Sequence, residues 1–379
     1  MKKEMLICST GSTGRLFDAN LTDSQLVIYF LSPDFGNPED YVNTLRTTYP
    51  HAQLIGCTTG GEIANDEAVK GTAVSVAVQL YKSSLQTASV SINGVAESRD
   101  AGKQLGAALA KDKLRYVFVL SDGLMVNGSE LTRGMVEALG PDVIISGGLA
   151  GDGTAFKKTG VGLNGIPQSG IIAAVGFYGD DLLVSYGTYG GWQKFGPNRK
   201  ITKAENNILY ELDNKPALDL YKSYLGPEAS KLPGSGLLFP LSIRATENDT
   251  HETVRTIVGI NEDEKSLIFA GEVTSGYVAQ LMHGSTDQLI SGAQKAAESA
   301  KNRLGGNTSE ALAILVSCIG RSLLMGQSVT YEVEAVKNVL GEATVVGFYS
   351  YGEISHHEVS GKCGLHNQTM TISLISERA

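Results

Sequence analysis

The chain has 379 residues, 45 of them glycine, with 42% hydrophobic and 19% charged content and a formal net charge of −9. That length accommodates two domains with a core each, and the negative charge argues against nucleic acid or an anionic membrane as the main partner. No stretch approaches the roughly 18 apolar residues of a membrane helix. The basic N-terminus lacks the apolar run of a signal peptide. Four dispersed cysteines without a C-x-x-C point to reduced thiols and a cytoplasmic location.

In chain order, three segments repeat one plan: an apolar strand, a helix-length segment, and an apolar strand that ends in glycine. The first runs from Leu26 to Ser32, through Glu39 to Tyr49, to Leu54-Ile55-Gly56. The second runs from Tyr116 to Gly123, through Ser129 to Leu139, to Val143 and Gly147-Gly148. The third runs from Leu312 to Cys318, through Val329 to Leu340, to Val345-Val346-Gly347. Each has the length of a βαβ unit, and continuous apolar strands suit a sheet covered on both faces.

Between these units, residues 73–78 and 87–92 alternate in polarity, as half-buried antiparallel strands do. Residues 171–177 and 182–189 alternate too, and the link Gly179-Asp180-Asp181 predicts that they form a hairpin. A boundary is expected near Gly196-Pro197, giving domains of residues 1–197 and 198–379. A hairpin over 201–212 follows, then a helix from Pro216 to Leu225 with Gly226 past its end. A further helix is expected from Ser285 to Asn302, and Thr369 to Ile375 alternates clearly. The fold class is α/β, with mixed α+β character: two domains, duplicated strand-helix-strand units and mixed sheets.

The glycine boxes carry the candidate chemistry. Gly56-Cys57-Thr58-Thr59-Gly60-Gly61-Glu62-Ile63 is echoed 291 positions later by Gly347-Phe348-Tyr349-Ser350-Tyr351-Gly352-Glu353-Ile354. Gly61, Glu62, Tyr349, Tyr351 and Glu353 are therefore candidate ligand contacts at strand ends, where rigid scaffolds present binding groups. The plain reading of Glu62 and Glu353 is carboxylates that fasten loop amides. Asp152, after Gly147-Gly148-Leu149-Ala150-Gly151, binds a ligand amine or caps a turn. Trp192, the single tryptophan, is core or a pocket wall.

No P-loop, nucleophile elbow or His-Glu-x-x-His zinc pattern occurs. Of six histidines, His366 is the sharpest candidate, beside Asn367 and a short loop away from Glu353. It either pins the loop or contacts a ligand or metal. His356 and His357 are adjacent, so extended backbone turns them to opposite sides. Cys318 lies within an apolar strand and reads as core. Cys363 sits beside polar residues, where a thiolate role is open.

Taken together, Gly347 to Ile354, Leu365-His366-Asn367-Gln368-Thr369 and Asn207 to Leu218 resemble the C-terminal half of FIST domain proteins. Gly56 to Ile63 and Gly147 to Asp152 resemble the N-terminal half. The resemblance implies a bacterial or archaeal sensory module that binds a small ligand. It implies a partner in trans, such as a histidine kinase or a cyclic-di-GMP enzyme. Amino acids are the ligands proposed for the family, and a stand-alone subset is described as heme proteins that sense nitric oxide. Noncovalent heme b, slightly favoured here over an amino acid, would take His366, His357 or His356 as axial ligand. His356-His357 also departs from the commoner family pattern, which has proline in that stretch. The competing class is an enzyme that uses Glu353, His366 and Cys363.

Overall fold

The computed structural model describes residues 1–9 and 19–378. All three expected βαβ units are present, each with its two apolar strands parallel. Unit 1 contains β1 (Lys2–Ser9), β2 (Leu26–Leu31), α1 (Pro38–Thr48), β3 (Gln53–Thr58), β4 (Glu62–Ala64), β5 (Glu67–Val69) and β6 (Thr72–Gln79). Unit 2 contains β7 (Ser84–Ser91), α2 (Ser98–Leu109), β8 (Leu114–Ser121), α3 (Gly128–Leu139), β9 (Ile144–Leu149), β10 (Val161–Leu163) and β11 (Ile171–Tyr178).

Unit 3 opens with β12 (Leu182–Tyr189) and is then interrupted by an insertion. Its strands are β13 (Gln193–Lys194), β14 (Arg199–Glu205), β15 (Ile208–Leu212), β16 (Lys215–Pro216), β17 (Leu241–Arg244), β18 (Glu252–Arg255), β19 (Ile257–Asn261), β20 (Ser266–Phe269) and β21 (Val278–His283). They form one nine-stranded sheet over a separate core that includes Ile201, Leu218, Tyr221 and Phe269, with α4 (Ala217–Leu225) packed on it. Residue 197, the expected boundary, falls inside this insertion. Unit 3 resumes with α5 (Thr286–Arg303), β22 (Leu312–Cys318), α6 (Ile319–Met325), α7 (Thr330–Leu340), β23 (Thr344–Ser350), β24 (Gly352–His356), β25 (Cys363–His366) and β26 (Met370–Glu377).

The three sheets share one order. In each, an edge strand and an antiparallel strand flank the parallel pair: β1-β6-β2-β3, β7-β11-β8-β9 and β12-β26-β22-β23. The segment leaving each second parallel strand crosses to another unit's sheet. Unit 1 sends β4 and β5 to β23, unit 2 sends β10 to β3, and unit 3 sends β24 and β25 to β9. A ring of equivalent hydrogen bonds closes the cycle: Gly60 N to Tyr349 O (2.7 Å), Gly151 N to Thr58 O (3.0 Å) and Tyr351 N to Leu149 O (3.1 Å). The architecture is a pseudo-threefold arrangement of three units with one insertion.

Strand period explains the packing. Leu26, Ile28 and Phe30 of β2, Tyr116, Phe118 and Leu120 of β8, and Leu312, Ile314 and Val316 of β22 all meet in one central core. The alternate residues face outward: Val27, Tyr29 and Leu31 meet α1, and Val117 and Val119 meet α2 and α3. Burial of both faces is why these strands are apolar throughout. The glycine shared by the three boxes has a steric cause. Gly56, Gly147 and Gly347 lie opposite Tyr29, Val119 and Leu315, and a Cβ on any of them would strike that partner's carbonyl oxygen.

Two expectations are corrected. Residues 73–78 are not half-buried: β6 lies between β1 and β2, covered on both faces. Residues 171–177 and 182–189 do not pair as a hairpin. β11 pairs with β7 and β8, whereas β12 pairs with β26, so Gly179-Asp180-Asp181 carries the chain from one sheet to the next. Alternation reports which faces a strand covers, but not which strand lies beside it.

Candidate functional site

The two Gly-Glu-Ile boxes build matching carboxylate cradles. Glu62 accepts from the Thr59 hydroxyl and from the Thr72 hydroxyl (2.7 Å) and backbone amide (3.4 Å). Glu353 accepts from the Ser350 hydroxyl (2.7 Å) and from the Thr369 hydroxyl (2.9 Å) and amide (3.2 Å). Each is fully buried and ties its crossover to the start of an antiparallel strand. Burial raises Glu62 to about 7 and Glu353 to about 8, against the opposing pull of those hydroxyl donors. In unit 2 the equivalent position is Gly153, and Asp122 fastens the loops instead. It accepts from Leu124 N, Met125 N, the Thr159 hydroxyl and Gly170 N at 2.8–2.9 Å.

Beside the Glu353 cradle lies a cavity of about 390 Å³, where units 2 and 3 meet the insertion. Unit 2 contributes Leu124, Asn127, Leu149 and Phe156; unit 3 contributes Cys318, Ile319, Tyr351 and Leu365; the insertion contributes Asn207, Leu237, Thr256 and Phe269. No charged side chain lines it. Tyr351 forms one wall, stacked on Phe156 at 4.5 Å between ring centroids. Its hydroxyl donates to Asp152 and accepts from the Asp152 amide (3.1 Å). Burial opposes ionisation of Asp152, but Tyr351 and three backbone amides outweigh it and hold the carboxyl below its ordinary value. Thr256 is 3% exposed, and its hydroxyl has no hydrogen-bond partner. Burial, reinforced by Glu353, pushes the Cys318 thiol upward, so it stays protonated.

Most of the other expected contacts serve the scaffold. Tyr349 is fully buried and donates to Glu332 (2.9 Å), which also pairs with the buried Arg321 (2.7 Å). Trp192 donates to Gln368 O (2.9 Å) and packs on Leu289 and Gly284. Asn367 donates to His366 O (3.0 Å), and Gly61 lies against the Tyr349 ring. Thr256, Phe156 and Asn207 carry no sequence signal that ties them to the glycine boxes. They reach the cavity only because the insertion folds back over unit 2.

The histidines lie elsewhere, around a second cavity of about 320 Å³ between α3, β18 and β25. His251, His357 and His366 line it in series, with centroids 4.1 and 6.0 Å apart. His356 points the other way and spends both ring nitrogens, on Gly361 O (2.8 Å) and Ile145 N (3.1 Å). His357 spends both as well, on Glu252 O (3.2 Å) and on the Val359 and Ser360 amides. His366 uses Nε2 on Ser355 O (3.0 Å), which leaves Nδ1 without a bond. Burial, with His357 beside it, lowers His366 to about 3. A heme needs an axial ligand within an apolar slot. His366 Nδ1 and His251 Nδ1 are the ring nitrogens left over around this cavity, and the walls include the charged side chains of Arg133, Glu137, Arg255 and Glu272. The residues as arranged therefore do not fit heme. No group of three or more His, Cys, Asp or Glu among the described residues is placed to hold a metal ion.

The enzyme alternative needs Glu353, His366 and Cys363 in mutual contact. Glu353 and His366 are neighbours on the β24–β25 ladder, but among the described residues no side-chain hydrogen bond joins the three. The Cys363 thiol donates weakly to Ile145 O (3.7 Å) and is pushed up to about 12 by burial.

No helix among the described residues is long and apolar enough to cross a membrane. An uncharacterized protein of Methanocaldococcus jannaschii is 26% identical over a 209-residue alignment that covers 50% of this chain and 38% of that protein. The chain thus matches well under half the length of this relative. Among solved structures, a cyanuric acid hydrolase of A. caulinodans aligns over 100% of this chain and 99% of its own, at 9% identity and a TM-score of 0.41. The FIST N domain family matches residues 25–215, and the FIST C domain family matches residues 217–356. The chain belongs to the FIST family, whose domains are sensory domains of signal-transduction proteins.

Proposed function

We propose that this protein senses a small, uncharged, largely apolar molecule bound in the 390 Å³ cavity, and that a partner protein reads its occupancy. The observation that carries this reading is the cavity itself, lined without a charged side chain, with the buried and unpartnered Thr256 hydroxyl on one of its lining residues. An unmade hydrogen bond at a buried site costs free energy, so a ligand that supplies the missing partner gains affinity. Apolar walls with few polar groups suit such a ligand, and the volume lies within the range for small-molecule sites.

The cavity is bounded by two units and the insertion. A ligand there bridges all three and stabilises the arrangement that it fits. A histidine kinase or a cyclic-di-GMP enzyme is the expected reader of that arrangement. A zwitterionic amino acid suits this cavity less well, since both its charges would face an uncharged lining.

Native mass spectrometry of the purified full chain, together with thermal-shift screening of uncharged metabolites, tests the reading. The expected result is a ligand that stabilises the wild type and loses at least tenfold in affinity in Thr256→Val. A visible Soret band that vanishes in His366→Ala would overturn it in favour of heme at the other cavity.

A further inference from the structure

The second cavity holds a cation to which no acid is hydrogen-bonded among the described residues; Glu272 favours its charge only through space. Arg255 is 9% exposed, and its Nε and Nη1 donate only to backbone carbonyls: Glu272 O (3.0 Å), Leu365 O (3.2 Å) and Val254 O (3.4 Å). Its Nη2 makes no hydrogen bond. The acids that share the cavity are already taken. Glu272 pairs with Arg133 (2.8 Å), and Glu137 pairs with Arg99 and with Lys103 (3.2 Å). Two further polar atoms on the same lining are buried and unpartnered, the Ser129 hydroxyl and His251 Nδ1.

A desolvated guanidinium is costly where its nearest acid, Glu272, is shared with Arg133 and takes no hydrogen bond from it. We infer that this cavity, between α3, β18 and β25, binds a small oxyanion, either a carboxylate or a phosphate, anchored by Arg255. Guanidinium donors match the oxygens of both groups, and Ser129 adds a neutral donor on the opposite wall. The volume of about 320 Å³ exceeds that of a bare ion, so the oxyanion is the head of a larger metabolite. The site is distinct from the apolar cavity, although Leu365 lines both. It joins the insertion to units 2 and 3 at a second place, because Arg255 belongs to the insertion, Ser129 to α3 and Leu365 to β25.

The test is isothermal titration of the full chain with inorganic phosphate and, separately, with succinate, each against sodium chloride at equal ionic strength. The expected result is saturable binding of at least one anion at one site per chain, with the two arms showing which head group is preferred. Arg255→Lys keeps a charge but loses the guanidinium fork, and should weaken binding at least tenfold. Ser129→Ala removes a hydroxyl that has no partner in the protein, leaves the fold intact, and should weaken binding three- to tenfold. No saturable heat with either anion, or binding unchanged in both variants, overturns the inference.

Discussion

The Glu62 and Glu353 cradles use one wiring plan in two surroundings. Each carboxylate is fully buried, accepts from a hydroxyl three residues upstream, and accepts from the hydroxyl and amide of a threonine at the head of an antiparallel strand. The difference lies two residues before each glutamate. In unit 1 that place is Gly60, whose Cα is hemmed in by Ile319 and the Tyr349 carbonyl. In unit 3 it is Tyr351, whose ring walls the apolar cavity and whose hydroxyl holds Asp152. Unit 3 alone also carries the insertion, which closes the cavity. The shared glutamates are fasteners, and function enters through what only one unit adds.

The largest expected effect breaks the cradles. Glu62→Ala and Glu353→Ala each strand several buried donors and open a void, at a cost of about 3 kcal/mol in urea-monitored stability. Similar losses in both variants support the common fastening role. A loss confined to Glu353→Ala would contradict it.

The pH response comes next. Both glutamates have folded values above the ordinary one, so between pH 4.5 and about 7 or 8 the folded state holds protons that the unfolded chain has released. Stability therefore falls as pH rises through that window. Glu353→Gln should flatten the decline and gain roughly 2 kcal/mol over wild type at pH 8. Glu62→Gln should gain less, since its window closes about a unit lower. An unchanged pH profile in both would refute the assignment.

Tyr351→Phe sharpens the contrast between the cradles. It removes the hydroxyl from Asp152 but leaves that carboxylate three backbone amides, for a cost of about 1.5 kcal/mol. Acid titration should show the Asp152 carboxyl moving up toward its ordinary range. Thr256→Val has the smallest effect on the ligand-free protein. Replacing an unpartnered hydroxyl by a methyl should change the unfolding free energy by less than about 1 kcal/mol, in the stabilising direction. A marked destabilisation would mean that the hydroxyl has a partner after all.

Much of the scaffold was legible in the residues. Continuous apolar strands marked the three parallel pairs, and the glycine that ends each strand marked the carbonyl contact that excludes a side chain there. The Gly-Glu-Ile echo located both fastening carboxylates. Their partners Thr72 and Thr369 stayed hidden, because they lie 10 and 16 positions away at the starts of other strands. Tyr351 and Asp152 were picked out separately, and their contact spans 199 positions. Arg255 gave no signal, since nothing in its local sequence says whether an acid faces it.

The sequence by itself determined the strand-helix-strand units, their buried faces, the family and the carboxylates that fasten them, because periodicity, steric exclusion and short motifs act locally. Only the tertiary structure decided that the crossovers exchange around a pseudo-threefold axis, and that the insertion closes over units 2 and 3. It also separated the histidines from the apolar cavity and left Arg255 with no acid in hydrogen-bond contact. Those outcomes depend on which surfaces meet across long stretches of chain, and no short window of residues encodes them.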